Sequence, residues 1–313
     1  MVEYFIKKVA NLNVPELITL YAENVGETTD WLNEYVGIEY DMEGGLHKLG
    51  EYSIDRELAY AGGGNGFATT AREAIDKSGA EVYLNTKAES LTVEDGKVVG
   101  VTAVGADGTT YTIKSNEVVL ATGGYGNNKD LLTDEMKSAL YYGPSTSTGD
   151  GIIMATEAVD AATRLMEYGK RYPNGVEVDA GIAKSTIAGN IVGWTMSAIL
   201  VNAEGERVVN EKASNRTILE VELEQTGGML YLLLDSETFD VWKTKLAGAG
   251  LSEGDIAKYV ENNGATTPIF ATGETLADVA AVVGMDPATL EKTVETYNGY
   301  VEAGKDADFD RNP

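Results

Sequence analysis

The sequence predicts an α/β fold over residues 1–165 and an α+β fold over residues 166–300. One observation behind this division is the apolar run at 117–121, which leads into Thr122-Gly-Gly as a buried parallel strand would. Another is the alternation of helix, strand and hairpin patterns in front of that run. A third is the change after residue 165, where strand patterns become fewer and helical patterns dominate. No linker separates the two parts.

The N-terminal part begins with helical patterns. The apolar residues that recur at helical spacing are Leu17, Leu20, Tyr21 and Val25. Asn13 is the predicted N-cap of this helix, and Gly37 is the predicted end of the helical region. A glycine-rich loop is predicted over 41–66. A second helix is predicted over 67–78, ending at Gly79.

Strand patterns follow the second helix. The predicted strands lie at 81–85, 89–94, 97–104 and 109–113. The turn signal Asp95-Gly96 predicts a hairpin between the second and third of them, and Asp107-Gly108 predicts the next turn. In the second part of the chain, strands are predicted at 198–202, 207–211 and 229–235, the first two as a hairpin. The last predicted helix covers 287–300, with Asp286 as its N-cap.

Composition excludes several classes of function. With 50 acidic and 24 basic side chains, the net charge of −26 would repel nucleic acids and anionic membranes. The chain has no cysteine and one histidine, His47, so disulfides, iron–sulfur ligation, cysteine nucleophiles and multi-histidine metal sites are excluded. Asp306, Asp308 and Asp310 alternate without the other residues of a calcium loop, so no metal site is predicted. No apolar run is long enough for a membrane span.

Single side chains carry little further signal. His47 lies in a polar loop and is predicted to be solvated. The three tryptophans, Trp31, Trp194 and Trp242, are predicted to be packing residues.

Two glycine motifs carry the strongest chemical signal. Thr122-Gly123-Gly124 follows the predicted strand, where glycines allow the close approach of a pyrophosphate. Gly149-Asp150-Gly151 opens a helical pattern, where ligand contact and simple helix capping by Asp150 are both open readings. A tight turn without a ligand is the alternative for the first motif. The glycines at 62–66 fit neither the dinucleotide fingerprint nor the P-loop.

The order of these motifs is more specific than any one of them. The relevant stretches are 84–91, 95–101, 119–125, 148–152, 199–211, 290–298 and 304–311. Together they closely resemble successive blocks of the fumarate reductase flavoproteins, a family of FAD-dependent oxidoreductases that includes urocanate reductases and ketosteroid dehydrogenases. The resemblance covers nearly the whole chain.

The resemblance implies where FAD would be held. It implies that residues 1–165 are part of a FAD-binding domain, that 166–300 form a capping domain over the substrate, and that 301–313 begin the return to the first domain. The residues expected to contact FAD are Ala88, Thr122, Gly123, Gly124 and Asp150. The glycine-rich dinucleotide turn of such proteins is not present in the chain, so the resemblance implies an interior piece of a longer flavoprotein.

On the substrate side the chain departs from the fumarate pattern. Tyr172 stands where fumarate reductases have a substrate-binding histidine. The stretch 190–194, containing Ile191 and Trp194, stands where they have a proton route. Asn215 matches the proton-donating arginine directly, with Arg216 adjacent. Apolar side chains neither relay protons nor bind a carboxylate, so fumarate is not the expected substrate, and Tyr172 and Arg216 are the candidate catalytic residues.

The resulting hypothesis is a FAD-dependent reductase or dehydrogenase. Hydride would pass between flavin N5 and a C=C or C–C bond of a small organic substrate. The alternatives are a catalytically silent domain and a ligand-binding module without flavin. FAD is expected in the full-length parent and not in the isolated chain, which is expected to be inactive and to expose apolar surface. The electron donor and the compartment, cytoplasmic or exported, stay open.

Overall fold

The computed structural model describes residues 12–48, 54–247 and 250–312. By packing, the chain divides into two compact units, Met1–Thr86 and Lys87–Pro313. These packing units do not coincide with the boundary that the sequence predicts near residue 165. That boundary separates two functional domains and stays a prediction. The mixture of helices with small antiparallel sheets confirms the α+β and α/β fold class.

The first unit is helical. Helix α1 covers Pro15–Trp31 and continues as one π-helical turn, Leu32–Val36, which ends at Gly37 with φ 86°. Gly37 is therefore confirmed as the end of the helical region. The predicted N-cap Asn13 is wrong, because Val14 occupies that position and the proline at N1 needs no capped N–H.

Helix α2 covers Gly63–Ser78 and ends at Gly79, as predicted. It begins four residues earlier than expected, because residues 63–66 belong to the helix and not to the loop. Gly62, with φ 71°, makes the turn into it. The solvated loop position predicted for His47 is confirmed, since nearly half of its side chain is exposed, 3.7 Å from Glu57.

A three-stranded antiparallel sheet opens the second unit. Its strands are β1 Thr86–Glu94, β2 Lys97–Gly105 and β3 Thr110–Lys114, in that order. The Asp95-Gly96 hairpin is confirmed: both turn residues have positive φ, 49° and 74°, as the predicted two-residue turn requires. The register pairs Val101 with Ile113.

Two predicted strands are wrong. Residues 81–85 and 117–121 have no strand structure, and Val119 is 89% exposed. A strand needs a neighbour to pair its N–H and C=O groups. Within the described ranges, neither segment has such a neighbour. The expected exposed apolar surface is present at both, including Leu84 and Val119.

The remaining elements of the second unit are mostly short. They are α3 Asp134–Lys137, α4 Asp150–Val159, β4 Val176–Asp179, β5 Ile182–Lys184, α5 Ile187–Asn190, α6 Val192–Thr195, β6 Ile199–Val201, α7 Asn215–Glu224, β7 Tyr231–Leu233, α8 Ser236–Ala247, α9 Glu253–Asn262, α10 Leu276–Val283 and α11 Pro287–Ala303. Single 3-10 turns occupy Lys129–Leu131 and Thr226–Gly228. Asp286 caps α11 as predicted, accepting from the N–H of Thr289.

The hairpin predicted at 198–211 forms only in part. Strand β6 pairs with β7, and a single bridge between Val201 and Arg207 represents the expected partner. Asn202 shapes the turn instead, because its side-chain oxygen accepts from the N–H groups of Glu204 and Glu206. Those N–H groups therefore donate to a side chain and not to the carbonyls of a second strand.

Two apolar clusters form the core of the second unit. The first contains Val192, Ala198, Trp242, Leu246, Leu251 and Ile256. The second contains Ile199, Val201, Ala280, Met285 and Leu290. Trp242 is the packing residue predicted, whereas that prediction is wrong for Trp31 and Trp194, which are 51% and 44% exposed. Over the described residues, no helix is both long and apolar enough to cross a bilayer.

Candidate functional site

The two glycine motifs singled out by the sequence lie against each other. The N–H of Gly149 donates to the carbonyl oxygen of Gly124 at 3.1 Å. The side-chain amide of Asn128 donates to the carbonyl of Thr148 at 2.8 Å, which holds the second motif from the other side. Residues more than twenty positions apart in the sequence thus form one pair of turns, 122–124 and 147–151.

Glycine is required at the contact between these turns. Gly149 has φ 79°, and a Cβ there would lie 2.5 Å from Leu131. A Cβ on Gly151 would lie 2.3 Å from the hydroxyl oxygen of Thr122. Gly124 is different, because a Cβ there would meet no atom within 4 Å. The backbone of the first turn is therefore open on its outer side.

Asp150 is the first residue of α4, but it does not cap the helix. The N-cap is Gly149, which has no side chain to offer, so helix capping by Asp150 is wrong. The Asp150 carboxylate instead accepts from the Thr148 hydroxyl at 2.8 Å. The first N–H groups of α4 are therefore left without a side-chain acceptor, at the positive end of the helix dipole.

Ala88 lies outside this pair of turns. It stands in β1, where it is half buried. The structure therefore brings together four of the five residues predicted to contact FAD, namely Thr122, Gly123, Gly124 and Asp150, whereas Ala88 lies in β1 of the same unit.

The turn pair has two features that suit a phosphate group. Its outer face presents backbone without side chains, and the start of α4 presents N–H groups, the two features that bind phosphate oxygens. FAD would be held here by the main chain of 122–124 and the first turn of α4.

The predicted substrate-side stretches are joined by a chain of amides. The indole of Trp242 donates to Asn190 at 3.2 Å, and Asn190 donates to Asn174 at 2.8 Å. Asn174, which is buried, donates to Asn215 at 3.0 Å. This amide chain connects α8, α5 and the start of α7. Asn174 was not among the predicted residues, since a lone asparagine in a loop carries no sequence signal.

The two candidate catalytic residues have different surroundings. Tyr172 is half buried, with the Lys170 ammonium 4.7 Å from its ring centroid. Burial raises the pKa of the neighbouring Tyr142, and Tyr172 adds to that rise. Arg216, next to Asn215, is 86% exposed and pairs with Glu220 at 2.9 Å. Its charge is therefore directed along α7.

A buried charged cluster holds the segment between α6 and α7. It consists of Arg207, Glu211, Asp306 and Arg311. Glu211 accepts from Nε and Nη2 of Arg207, each at 2.8 Å, and from Arg311 at 3.0 Å. Asp306 lies 2.8 Å from Arg207. Burial favours the neutral form of Asp306, but the hydrogen bond from Arg207 and those from backbone N–H groups together outweigh burial and lower the pKa of that carboxyl.

The charged cluster also fixes backbone near the amide chain. Arg311 donates to the carbonyls of Met196 at 2.6 Å and Ala198 at 2.8 Å. Glu211 accepts from the N–H of Leu200 at 3.0 Å. Asp306 thus has a structural role, and the described residues hold no group of three His, Cys, Asp or Glu side chains that suits a metal ion.

Comparison with known proteins supports the flavoprotein reading. The family model described as a FAD binding domain matches residues 1–313. A probable fumarate reductase of Shewanella frigidimarina is 29% identical over 99% of this chain and 50% of its own length. A urocanate reductase of Eggerthella lenta is 31% identical over 94% of this chain and 47% of its own length.

The comparison of structures agrees with the comparison of sequences. The open conformation of a flavocytochrome c3 fumarate reductase matches 99% of this chain and 51% of its own, with a TM-score of 0.69 and 28% identity. The chain spans about half the length of the curated relatives it matches. The chain belongs to the FAD-binding domain family, among the fumarate reductase-type flavoproteins.

Proposed function

We propose that this chain serves a FAD-dependent reductase or dehydrogenase that acts on a C=C or C–C bond of a small organic substrate other than fumarate. The observation that carries the proposal is the pair of turns, whose open backbone at Gly124 adjoins the first N–H groups of α4. Relatives named as a probable fumarate reductase, a urocanate reductase and an NADH:acrylate oxidoreductase support the reaction type.

The main chain of the turns and Ala88 would hold FAD. Thr122, Gly123 and Gly124 would offer backbone to its phosphates, and Asp150, whose carboxylate accepts from the Thr148 hydroxyl, would contact FAD from the first turn of α4. The chemistry supplied by bound FAD is hydride transfer between flavin N5 and a carbon of the substrate.

The proton would come from a side chain of the second unit. Tyr172 is the first candidate, because its phenol is half buried beside a lysine ammonium. Arg216 is the second candidate. The positions that face the substrate in the fumarate pattern hold Asn190, Ile191 and Asn215 here, so a dicarboxylate would lack the cations it needs.

Gly124 offers a direct test. Gly124→Val places a side chain in open space, so the ligand-free chain should keep its stability, while the FAD pyrophosphate would be blocked. Titration of the protein with FAD, followed by quenching of flavin fluorescence, should show affinity reduced at least about tenfold, the size of one lost close contact. Gly299→Ala is the matched control, because a Cβ at Gly299 also meets nothing within 4 Å. Measurable FAD binding of equal affinity in Gly124→Val and the native chain would reject the site.

A further inference from the structure

Helix α1 has an exposed apolar face. No residue of the helix is fully buried, and only one of its sides is half-buried, at positions such as Ile18 and Val25. Next to that side, large apolar side chains recur at helical spacing over about 27 Å, from the first turn of α1 into the π-helical turn that follows it. Exposed apolar faces of this size mark interaction sites on soluble proteins. The side chains of this face, each more than half exposed, are Leu17, Leu20, Tyr21, Trp31 and Tyr35.

The aromatic end of this face is already ordered. Trp31 and Tyr35 are four residues apart and therefore neighbours on the helix surface. Their rings stack, with centroids 5.3 Å apart and planes 18° from parallel. Tryptophan and tyrosine supply large contact areas at a small entropic cost, and they carry much of the binding energy at protein interfaces. This stacked pair is therefore suited to contact another protein.

A row of carboxylates borders the apolar face on its other side. At about 100° of rotation per residue, the row falls within a stripe about 60° wide. Residues 12–47 contain no lysine or arginine that could compensate it. The members of the row, all exposed, are Glu16, Glu23, Glu27, Asp30 and Glu34.

Helix α2 of the same unit shows how exposed carboxylates are otherwise arranged. There Asp76 pairs with Arg72 at 3.0 Å, and Glu73 pairs with Lys77 at 3.6 Å. Among the described residues, no carboxylate of the row on α1 forms an ion pair with a lysine, arginine or histidine. The negative charge of α1 is thus available to a cationic partner.

We propose that this face of α1 is a docking surface for a basic protein whose apolar groove is bordered by lysine or arginine side chains. The apolar side chains of α1 enter the groove, as in the recognition of an amphipathic helix. The row of carboxylates faces the cations at the border of the groove and fixes the orientation of the partner.

The row distinguishes this partner from other occupants. A second copy would set its own carboxylates near those of the first, and like charges at a contact disfavour association. An anionic lipid surface would repel the row. The exposed apolar residues at 81–85 and 117–121 differ as well, since those segments are neither helix nor strand and offer no formed face.

The test uses the full chain and a basic amphipathic peptide, the heptad Leu-Lys-Lys-Leu-Leu-Lys-Leu repeated twice. The indole N–H signal of Trp31, followed by ¹⁵N NMR, should shift on binding. The signal of Trp194, which is also exposed but lies in the second unit, should stay in place. Peptides with serine for leucine, or glutamate for lysine, should bind at least about tenfold more weakly, since each lacks one kind of contact.

Removing charge from the row tests the electrostatic part. Glu23→Gln, Glu27→Gln and Asp30→Asn, combined in one chain, should weaken binding of a dye-labelled peptide at least about tenfold in fluorescence anisotropy. This triple variant should also reduce the salt dependence of binding.

A second triple variant is the matched control. Glu291→Gln, Glu295→Gln and Glu302→Gln remove the same charge from exposed positions of α11. Charges that do not contact the peptide are screened at physiological salt, so affinity should change by less than about twofold. Equal losses in the two triple variants would show attraction to the net charge alone and would overturn the proposal.

Tyr35→Ser tests the apolar part, because it removes the most exposed ring of the face and half of the stacked pair. It should weaken peptide binding at least about tenfold. Tyr168→Ser, at an exposed tyrosine of the second unit, is the control and should leave affinity unchanged. Leu17→Ser provides a second test of the face, at its other end, if Tyr35→Ser does not fold.

Three other results would also overturn the proposal. A Trp31 signal that does not move with the leucine–lysine peptide would refute the docking surface. Vesicles of phosphatidylcholine that shift this signal as far as the peptide does would assign the face to a membrane. A dimer of the chain alone in sedimentation, lost in Tyr35→Ser, would assign it to a second copy. None of these measurements uses flavin, so their outcome is independent of the proposed function.

Discussion

The pair of turns and the charged cluster both hold distant segments together, but by opposite means. In the turns the contact is between main chains, as between Gly149 and Gly124. This contact requires residues that have no side chain. In the charged cluster the contact is between side chains that are all no more than 5% exposed. A region built from bare backbone keeps hydrogen-bonding groups for a ligand. In a region built from paired charges, the hydrogen-bonding groups already bind one another, and the region contributes rigidity.

Removing the shared carboxylate of the charged cluster should give the largest effect. Glu211→Ala leaves Arg311 without its carboxylate and Arg207 with Asp306 alone. Breaking a buried ion network in this way costs about 3–5 kcal/mol, because a buried charge loses its partner. The free energy of unfolding from urea titration checks this value.

A matched control lies on α7. Glu220 pairs with Arg216 at the same spacing of four residues, but both side chains are more than half exposed. Glu220→Ala should change the free energy of unfolding by less than about 0.5 kcal/mol. Similar losses for the two variants would mean that burial does not distinguish the two pairs.

The close approach of Gly151 to the Thr122 side chain predicts a smaller effect. Gly151→Ala sets a Cβ 2.3 Å from the Thr122 hydroxyl oxygen, and such overpacking costs about 1–3 kcal/mol. Thr122→Ala in the same chain removes that oxygen and should restore most of the loss. Thermal unfolding of the two single variants and the double variant gives the coupling energy. Additive effects would show that the two turns do not touch as described.

Glu222 carries a half-buried carboxylate whose pKa is set by burial and by one hydrogen bond. Burial raises its pKa from 4.5 to about 7, against an opposing hydrogen bond from the N–H of Leu230. A folded-state pKa above the unfolded value means that the folded chain binds the extra proton, so this group lowers stability as the pH rises from about 4.5 to about 7.

Glu222→Gln should remove that dependence. Its stability should equal that of the native chain near pH 4.5 and exceed it above pH 7, by an amount of order 2 kcal/mol. Urea titrations at several pH values provide the measurement. A native chain whose stability rises across this range in comparison with Glu222→Gln would contradict the pKa shift.

How much the sequence could predict differs between these regions. Turns carry local signals, so the Asp95-Gly96 hairpin was predicted correctly, whereas the role predicted for the glycines at 123–124 stays a prediction. Strand patterns need a partner that the pattern itself does not name, and the segments 81–85 and 117–121 lack one within the described residues. Apolarity alone therefore predicted strands that do not form.

Burial of charges lies beyond local patterns as well. Arg207–Glu211 and Arg216–Glu220 have the same spacing, yet one pair is buried and the other exposed. The difference comes from Asp306 and Arg311, about a hundred residues away, which close the charged cluster. The amide chain was missed for the same reason, because Asn174, Asn190 and Trp242 meet only in the folded chain.

Replacement of Arg216 should have the smallest effect on stability. In this respect the exposed Arg216 should differ most clearly from the buried Arg207. Arg216→Ala removes an exposed pair and should change the free energy of unfolding by less than about 0.5 kcal/mol. If Arg216 supplies the proton, substrate turnover by the flavin-loaded protein should nevertheless fall by about a hundredfold or more, which is the usual contribution of a general acid to the rate. Tyr172→Phe provides the parallel measurement for the other candidate. Turnover that is lost in Tyr172→Phe and kept in Arg216→Ala would assign the proton to Tyr172, and would leave Arg216 as an ordinary surface residue beside the amide chain.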